Sequence, residues 1–273
     1  IYSELPEKIK ERVNTNKLWQ EKILKNHKDD HLILVAPTGS GKTEFALLWA
    51  REIGRKLIYT LPLRVALNDL FDRFGKGGGY FDRNKRNIVN ILHSTSFLEY
   101  LEEEREGKDL NIDEILTTAR LFSSPVMLTT PDQVFLSSLK YYGFDKLLSV
   151  YPSSSIVIDE IQAYNPEMAA IIIKTLEIMR ALDSRVLIIT ATFPPYFEKF
   201  LTKEQKFKMV DIEKLNGIKE EMKNYDIRRH KIKIENFSLF SYDPNLKPDR
   251  EGMERLKDLI KNNRDKNIML LAI

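Results

Sequence analysis

A glycine-rich turn near the start of the chain joins a short apolar run, residues 31–36, to an amphipathic segment. Glycines permit the backbone angles needed to turn tightly around an anion, and the amides of the turn and the following helix N-terminus supply a positive field. Lys42 and Thr43, which end the turn, suit phosphate oxygens and magnesium. Such a turn can be a plain connector, but the strand pattern before it and the helix pattern after it favour a phosphate-binding loop.

An acidic pair is the second chemical signal, because it directly follows the apolar residues 155–158. Asp159 at the carboxyl end of a buried strand can bind magnesium, usually through water, and the adjacent Glu160 can polarise an attacking water molecule. Apolar residues can precede such a pair by chance, so its weight comes from its position after Lys42 in a chain of alternating strand and helix patterns. The pair narrows the choice among kinases, GTPases and motor proteins, which the loop alone does not separate.

A third candidate segment is the small-residue turn of residues 190–194 (TATFP), which follows another apolar run. Hydroxyl groups on Thr190 and Thr192 could hydrogen-bond to the loop that carries Asp159, and would then report the state of a bound nucleotide. The alternative is an ordinary threonine-rich turn before a proline. The segment alone does not decide between the two.

The elements that must position these residues follow from hydrophobic patterning. Short apolar runs alternate with longer amphipathic segments, which is typical of βαβ units. One helix is predicted at residues 42–53 and ends at Gly54, and another is predicted from Asn165 to about residue 182. Buried strands are predicted at residues 31–36, 56–60, 87–92, 126–129, 155–159 and 185–190. The chain is therefore predicted to be an α/β protein with one mostly parallel sheet.

Composition excludes several classes of protein. The chain is 42% apolar and 30% charged, and its 11 Gly and 11 Pro are too few for a collagen-like or low-complexity sequence. With 43 basic and 40 acidic residues, any contact with nucleic acid must depend on local charge placement. The absence of cysteine excludes disulfides, thiolate zinc sites and cysteine nucleophiles. No apolar run approaches the ~18 residues that span a bilayer, so we predict no membrane partner and a cytoplasmic location.

The composition changes after residue 195. A Lys- and Glu-rich stretch reaches about residue 224, a strand-like alternation follows at residues 230–237, and a helical pattern at 251–262 precedes the apolar residues 267–273. We therefore predict a main domain at residues 1–215 and an extension at residues 216–273.

In this order, the three motifs resemble motifs I, II and III of superfamily 2 helicases: APTGSGKTE at 36–44, DEIQ at 159–162 and TATFP at 190–194. Ala36 replaces the usual first glycine of the loop, a variant familiar in helicases. The Trp19-Gln20 pair, TLPLRVALNDLF at 60–71, TTPDQ at 129–133 and DEIQAYNPE at 159–167 resemble the CRISPR-associated helicase of type I interference systems. The resemblance covers residues 18–273 and implies a RecA-like three-layer sandwich, a P-loop NTPase fold, with a C-terminal extension.

The resemblance implies a nucleotide site. ATP would be bound by Gln20, which corresponds to the adenine-reading glutamine, and by motif I: Ala36, Pro37, Thr38, Gly39, Ser40, Gly41, Lys42, Thr43 and Glu44. Mg²⁺ would be held by Thr43 and Asp159. Glu160 and Lys42 would be the catalytic residues. Without the resemblance, the Trp19-Gln20 pair is more typical of one core residue beside one surface residue.

Other matched residues are implied to couple the nucleotide site to a nucleic-acid strand. Coupling would involve Gln162, Thr190, Ala191 and Thr192, and Gln162 replaces a more usual histidine. Motif Ia contributes Thr60, Pro62 and Arg64, and motif Ib contributes Thr130 and Asp132. Such groups position a single-stranded backbone without reading its sequence. Without the resemblance, Arg64 is an ordinary solvated charge.

Two departures from the family pattern limit the expectation. The family pairs its motor with an HD nuclease, but no histidine of this chain is followed by Asp, so we predict no nuclease here. Superfamily 2 motors also use an arginine from a second RecA-like domain. The chain starts with Ile and ends where the first strand of that domain would begin. We therefore expect the first motor domain, followed at residues 216–273 by a linker and the truncated start of the second domain, cut from a longer protein.

These expectations combine into one hypothesis and two alternatives. The hypothesis is the ATP-binding motor domain of a single-stranded DNA translocase in type I CRISPR defence, with a surveillance complex and an HD nuclease domain or subunit as implied partners. One alternative is a superfamily 2 helicase of another pathway, such as RNA remodelling, restriction or repair, because motifs I to III do not exclude RNA. The other is a nucleotide-gated binding module without hydrolysis, against which the presence of Glu160 argues.

Overall fold

The computed structural model describes residues 2–13, 18–27, 30–75, 79–81, 88–96, 98, 100–101, 111–140, 142–215, 218, 238–239 and 249–262. It divides into two compact units, residues 1–227 and 228–273. The domain boundary after residue 215 stays a prediction. The predicted strands at residues 230–237 and 267–273 lie outside the described residues.

A seven-stranded sheet in which every pairing is parallel forms the centre of the first unit. In chain order the strands are β1 (Leu32–Val35), β2 (Lys56–Thr60), β3 (Val89–Leu92), β4 (Val126–Thr129), β5 (Ser154–Asp159), β6 (Arg185–Thr190) and β7 (Lys208–Asp211). Their order across the sheet is β3-β4-β2-β5-β6-β1-β7. The predicted α/β class with a mostly parallel sheet is confirmed.

Helices connect the strands and cover the sheet. They are α1 (Leu5–Val13), α2 (Trp19–Asn26), α3 (Lys42–Ile53), α4 (Arg64–Gly75), α5 (Ile112–Arg120), α6 (Pro131–Leu139), α7 (Phe144–Val150), α8 (Pro166–Ala181) and the short α9 (Pro195–Glu198). A π-helical segment, Lys199–Glu204, follows α9 directly. No helix in the described ranges is long and apolar enough to cross a membrane.

Side chains alternate between the two faces of the sheet and pack into two hydrophobic clusters. Leu34 and Leu187 face the cluster that includes the buried residues of α1 to α4, whereas Ile33 and Ile188 face the cluster that includes those of α6 to α8. Strands buried on both faces read as continuous apolar runs, which is why the sequence showed them clearly. The result is the expected three-layer sandwich.

Local signals mark one terminus of each of the two predicted helices, as expected. Gly54 follows α3 in a left-handed conformation, with φ of 72°, and donates its amide to Ala50. The Asn165 side chain accepts a hydrogen bond from the Met168 amide at the start of α8. Both features depend on residues adjacent in sequence, so local chemistry suffices to place them.

Strand β7 is not among the predicted strands, because its four residues lie in the Lys- and Glu-rich stretch that follows residue 195. Only Val210 of this strand is buried, whereas Lys208 is exposed. The strand pairs in parallel with β1. Its backbone pairing at the sheet edge, rather than a hydrophobic pattern, makes this segment a strand.

The second unit is described only at residues 238–239 and 249–262. It contains α10 (Arg250–Lys261), close to the predicted helix at residues 251–262. The Asp249 side chain caps this helix by accepting a hydrogen bond from the Gly252 amide.

Candidate active site

Three of the sequence motifs meet at the carboxyl edge of the sheet. Strand β1 leads into the glycine-rich loop, β5 ends at Asp159 and β6 ends at Thr190. These strands are neighbours in the order β5-β6-β1. Ligands of open α/β sheets bind at this edge, so the arrangement forms a candidate active site.

The glycine-rich loop has the backbone of a compact anion-binding turn. Gly39 and Gly41 adopt φ angles of 81° and 89°, which side chains with a Cβ atom rarely accept. The Lys42 ammonium lies over the loop and donates to the carbonyls of Ala36 at 3.1 Å and Pro37 at 3.3 Å. The buried Ser40 hydroxyl has no hydrogen-bond partner among the described residues. The loop therefore holds polar donors that are not committed to strong internal partners.

Helix α2 supports this loop from behind. The Trp19 indole donates to the Ser40 carbonyl at 3.0 Å, and its ring stacks on Phe45 with a centroid distance of 5.8 Å. The Gln20 amide nitrogen donates to the Gly41 carbonyl at 3.3 Å. Gln20 is fully buried, and its Oε1 has no partner within the described ranges. Both residues of the pair thus contact the loop, and neither is a surface residue.

Gly41 also lies close to Gln20. A Cβ atom at position 41 would lie 2.7 Å from Gln20 Nε2, so the end of that side chain would have to move. The positive φ of 89° is the stronger reason for glycine at this position.

Asp159 is a buried carboxylate with both oxygens hydrogen-bonded. Its Oδ1 accepts from the Glu160 amide at 2.8 Å, and its Oδ2 accepts from the Tyr59 hydroxyl at 2.5 Å. Burial raises the Asp159 pKa to about 6, and the Glu160 charge adds to the rise, while the hydrogen bond from Tyr59 and the charge of Lys42 act to lower it. A carboxylate so short of compensating charge is suited to binding a cation.

Tyr59 is a site residue that the sequence analysis missed. Its hydroxyl donates to Asp159, and the Thr43 hydroxyl acts to lower its pKa. Burial and the negative charge of Asp159 raise the Tyr59 pKa well above its ordinary value, so the phenol stays protonated. Asp159 lies a hundred positions further along the chain, and no local spacing could indicate this partnership.

Glu160, Gln162 and Thr190 form a connected network. Glu160 adopts a left-handed conformation with φ of 54°, which is uncommon for a non-glycine residue. The Gln162 amide donates to the Glu160 carboxylate, and the Thr190 hydroxyl lies in hydrogen-bonding contact with Gln162 Oε1 and, at 2.6 Å, with the Thr192 carbonyl. A physical link therefore joins the acidic segment to the turn at residues 190–192.

This turn also contacts the glycine-rich loop. The Ala36 amide donates to the Thr190 carbonyl at 3.0 Å, and the Glu160 amide donates to the Ile189 carbonyl at 3.0 Å. The end of β6 thus lies between the other two motifs and contacts both. A displacement of one of these segments would therefore strain its hydrogen bonds to the others.

Glu44 occupies a different place from its neighbours in motif I. Its buried carboxylate accepts hydrogen bonds from Arg73, at 3.1 Å, and from the Tyr80 hydroxyl. This pairing turns the side chain toward α4. Its charge is therefore balanced inside the protein and is not directed at a phosphate.

The residues expected to contact nucleic acid lie along the other part of the same edge, after β2 and β4. Arg64 and Asp132 are exposed, whereas Thr60 and Thr130 are buried. The Thr60 hydroxyl already donates to the Val157 carbonyl at 3.1 Å. Pro62 is half-buried, and its neighbour Leu63 is 67% exposed. The structure brings these residues to one edge of the sheet, and the Thr60 hydroxyl is bonded to the backbone of β5.

Comparison with known proteins agrees with the fold and the motifs. Residues 17–200 match the family model described as DEAD/DEAH box helicase. The chain is 44% identical over all its 273 residues to the CRISPR-associated nuclease/helicase Cas3 of Methanothermobacter thermautotrophicus, of which it covers 31%. It is 30% identical over 187 residues, 64% of the chain, to a putative Cas3 of Methanocaldococcus jannaschii, of which it covers 25%.

A solved structure shows the same fold. The structure titled T. fusca Cas3-ADP superposes with a TM-score of 0.57 over 67% of this chain and 22% of that chain, at 23% identity. The predicted RecA-like sandwich and the predicted likeness to superfamily 2 helicases, including CRISPR-associated ones, are thereby confirmed. The chain spans less than a third of the length of these relatives. On the family match and the arrangement of its motifs, the chain belongs to the DEAD/DEAH box helicase family.

Proposed function

We propose that this chain is the ATP-binding motor domain of an ATP-dependent single-stranded DNA translocase or helicase that acts in type I CRISPR antiviral defence. The observation that carries the proposal is the meeting of the glycine-rich loop, the Asp159-Glu160 pair and the Thr190 turn on three adjacent strands. The pathway is inferred from relatives such as the CRISPR-associated nuclease/helicase Cas3 of Methanothermobacter thermautotrophicus and the putative one of Methanocaldococcus jannaschii.

The loop residues fit the phosphates of ATP. Gly39 and Gly41, both with positive φ, shape a tight turn before α3. The free backbone amides at a helix N-terminus are suited to binding a phosphate. The unpartnered Ser40 hydroxyl is a further donor. Lys42 can exchange its two carbonyl acceptors for phosphate oxygens, which are stronger partners because they are charged.

The oxygen atoms of side chains near the loop are also suited to binding Mg²⁺. Thr43 and Asp159 supply oxygen ligands, which magnesium prefers, and magnesium usually completes its shell with water and phosphate oxygens. No group of three or more His, Cys, Asp or Glu side chains in the described part of the chain forms a separate metal centre. When bound, the metal neutralises charge on the phosphates during transfer. Thr43 and Asp159 would hold it.

Glu160 is the proposed general base. Its carboxylate would orient and polarise the attacking water, with Lys42 stabilising the phosphate charge. Gln162 holds this carboxylate and contacts Thr190, so we propose that these two residues, with Ala191 and Thr192, couple nucleotide state to the rest of the edge.

Recognition of the adenine is assigned to Gln20. Its partnerless Oε1 is an acceptor that suits the amino group of adenine. Because the side chain is fully buried, this contact requires a movement of α2 or of the loop. For Glu44 the proposal is limited to its backbone in the first turn of α3, since its side chain is paired with Arg73.

A single strand of nucleic acid is proposed to run across the ends of β2 and β4. The exposed Arg64 would pair with one phosphate of the strand. A second phosphate would accept hydrogen bonds from the hydroxyl of Thr130, which precedes α6, or from backbone amides close to it. Asp132 is an anion and would orient neighbouring donors. Thr60 and Pro62 would shape the path through the backbone, because the Thr60 hydroxyl is already engaged.

The remaining parts of the proposal concern the larger protein. We propose that residues 1–215 form the first RecA-like domain and that residues 216–273 link it to a second one, which supplies an arginine to the ATP phosphates. Such arginines contribute ~10³ to 10⁵ in rate in related systems. A surveillance complex and an HD nuclease domain or subunit are the proposed partners. The chain alone would then bind ATP and hydrolyse it slowly.

The test is Mg²⁺-dependent binding and hydrolysis of ATP by the 273-residue chain, with and without single-stranded DNA or a matched RNA. We expect saturable ATP binding, slow turnover and preference for DNA. Equal or stronger RNA binding would favour a helicase of another pathway. Rapid DNA-stimulated turnover would contradict the missing-arginine proposal, and absence of ATP binding would overturn the function.

A further inference from the structure

Tyr59 lies beneath the proposed magnesium site, at a position for which motif Ia assigns no function. It is the residue before Thr60 at the carboxyl end of the central strand β2, and its side chain is completely buried. In the register of the sheet it is paired with Val157 of β5. Asp159, two residues further along β5, projects to the same face.

The Tyr59 hydroxyl contacts Asp159, one of the two side chains proposed to hold the metal. It donates to Asp159 Oδ2 at 2.5 Å. The other carboxylate oxygen, Oδ1, accepts from the Glu160 amide at 2.8 Å. Tyr59 and the Glu160 amide therefore hold one oxygen each of the Asp159 carboxylate.

The tyrosine ring is itself held in place by packing. Phe74 of α4 meets it edge to face, with a centroid distance of 6.3 Å and an interplanar angle of 85°. Both rings are fully buried. A phenol fixed in this way presents its hydroxyl at one point in space and loses little freedom when it does so.

We propose that Tyr59 is a positioning residue for the magnesium–nucleotide site, because its hydrogen bond to Oδ2 orients the Asp159 carboxylate. The inference rests on the proposed function and deepens it. Groups that orient metal ligands from behind commonly change metal affinity 10- to 100-fold when they are removed. Tyr59 contacts neither the nucleotide nor the metal in this proposal and acts only through Asp159.

The test compares Tyr59→Phe with the wild-type chain in a Mg²⁺ titration of fluorescent ATP-analogue binding. We expect Tyr59→Phe to raise the half-saturating Mg²⁺ concentration about tenfold and to leave nucleotide binding in EDTA within about twofold. Electron paramagnetic resonance of bound Mn²⁺ gives a second measure of the same loss. Unchanged Mg²⁺ dependence in Tyr59→Phe would overturn the inference and leave the function standing.

Tyr151→Phe is a matched control. The fully buried Tyr151 donates to the Val134 carbonyl at 2.7 Å and lies 2.8 Å from Ser137 Oγ, at the opposite end of β5. Loss of the Tyr151 hydroxyl removes a buried hydrogen bond away from the site. Nucleotide binding by Tyr151→Phe must therefore depend on Mg²⁺ as it does in the wild type. Should Tyr59→Phe fail to fold, Tyr59→Met offers a flexible side chain for the same space, and the same tenfold rise is expected.

A double-mutant cycle separates positioning from a general structural effect. If Tyr59 acts through Asp159, Tyr59→Phe should add less than twofold to the Mg²⁺ requirement of Asp159→Asn. Additive losses would contradict that route. Failure of the wild-type chain itself to bind nucleotide in a Mg²⁺-dependent way would instead refute the proposed function.

Discussion

The carboxyl edge of the sheet has two halves that differ in how completely the protein organises them. At the ends of β1, β5 and β6, side chains are mostly buried and bonded to one another, as in the chain from Glu160 through Gln162 to Thr190. At the ends of β2 and β4, Arg64 and its neighbours Leu63 and Val65 are exposed, the last two at 67% and 76%.

This difference suits the two kinds of ligand that we propose for the edge. A small, highly charged nucleotide is bound by preorganised donors that face it from several strands, and hydrogen bonds made within the site keep those donors in place. A nucleic-acid backbone is long and repetitive, and exposed charges can hold it and release it during movement. We therefore expect single substitutions in the first half to have large effects, and those in the second half to have small ones.

Lys42→Ala should cause the largest loss. Removing the ammonium deprives the phosphates of a charged donor, so we expect at least a 100-fold weaker affinity for ATP. DNA binding without nucleotide should stay within twofold. A fluorescence titration with an ATP analogue measures the first quantity, and Lys146→Ala, on the exposed side of α7, is the control. Equal affinities of Lys42→Ala and wild type would erase the contrast between the halves.

Glu160→Gln should separate chemistry from binding. The amide cannot accept a proton, so single-turnover hydrolysis should fall about 100-fold, while ATP affinity changes less than threefold. The measurement is release of labelled phosphate over hours with enzyme in excess. Glu167→Gln, an exposed residue in the first turn of α8, should behave as wild type. Undiminished hydrolysis by Glu160→Gln would show that another group is the base.

Gln20→Ala should weaken nucleotide binding to an intermediate extent that depends on whether the nucleobase is adenine or guanine. We expect ATP affinity to fall about tenfold, because the contact with adenine and the bond to Gly41 are both lost. GTP lacks the amino donor at the same ring position, so its affinity should fall only two- to threefold. Competition titrations with both nucleotides measure the difference. Equal losses would mean that Gln20 only supports the loop.

Arg64→Ala should have the smallest effect. One lost phosphate contact should weaken single-stranded DNA binding three- to fivefold at low salt and reduce the slope of log affinity against log salt by about 0.7. ATP binding should not change. Fluorescence anisotropy of a labelled oligonucleotide over a salt series is the measurement, with Arg120→Ala, an exposed arginine at the end of α5, as control. An unaltered slope would place the strand elsewhere.

Prediction from sequence succeeded where the relevant interactions are local. Gly54 and Asn165 mark helix ends because each acts on the turn beside it. The buried strands appear as apolar runs because both of their faces are covered. In contrast, β7 became a strand by pairing with β1, and its one buried residue, Val210, left no readable pattern.

The same distinction holds within the candidate site. Motif spacing led to Lys42, Thr43, Asp159 and Glu160, and the structure places all four at one edge of the sheet. It did not lead to Tyr59, whose partner Asp159 is distant in sequence. Nor could it show that the Glu44 side chain is paired with Arg73 and Tyr80, because adjacency to the loop does not determine side-chain direction.

The amino-acid sequence alone therefore determined the class of fold, the ends of the main helices and the residue types of the proposed phosphate-binding loop. Each of these depends on neighbours within a few positions, or on a hydrophobic period that a few residues display. Only the tertiary structure decided which buried groups satisfy one another: Tyr59 with Asp159, Gln162 with Thr190, and Gln20 with Gly41. Those partners come from separate elements, and the register of the parallel sheet and the packing of helices onto it bring them within hydrogen-bonding distance.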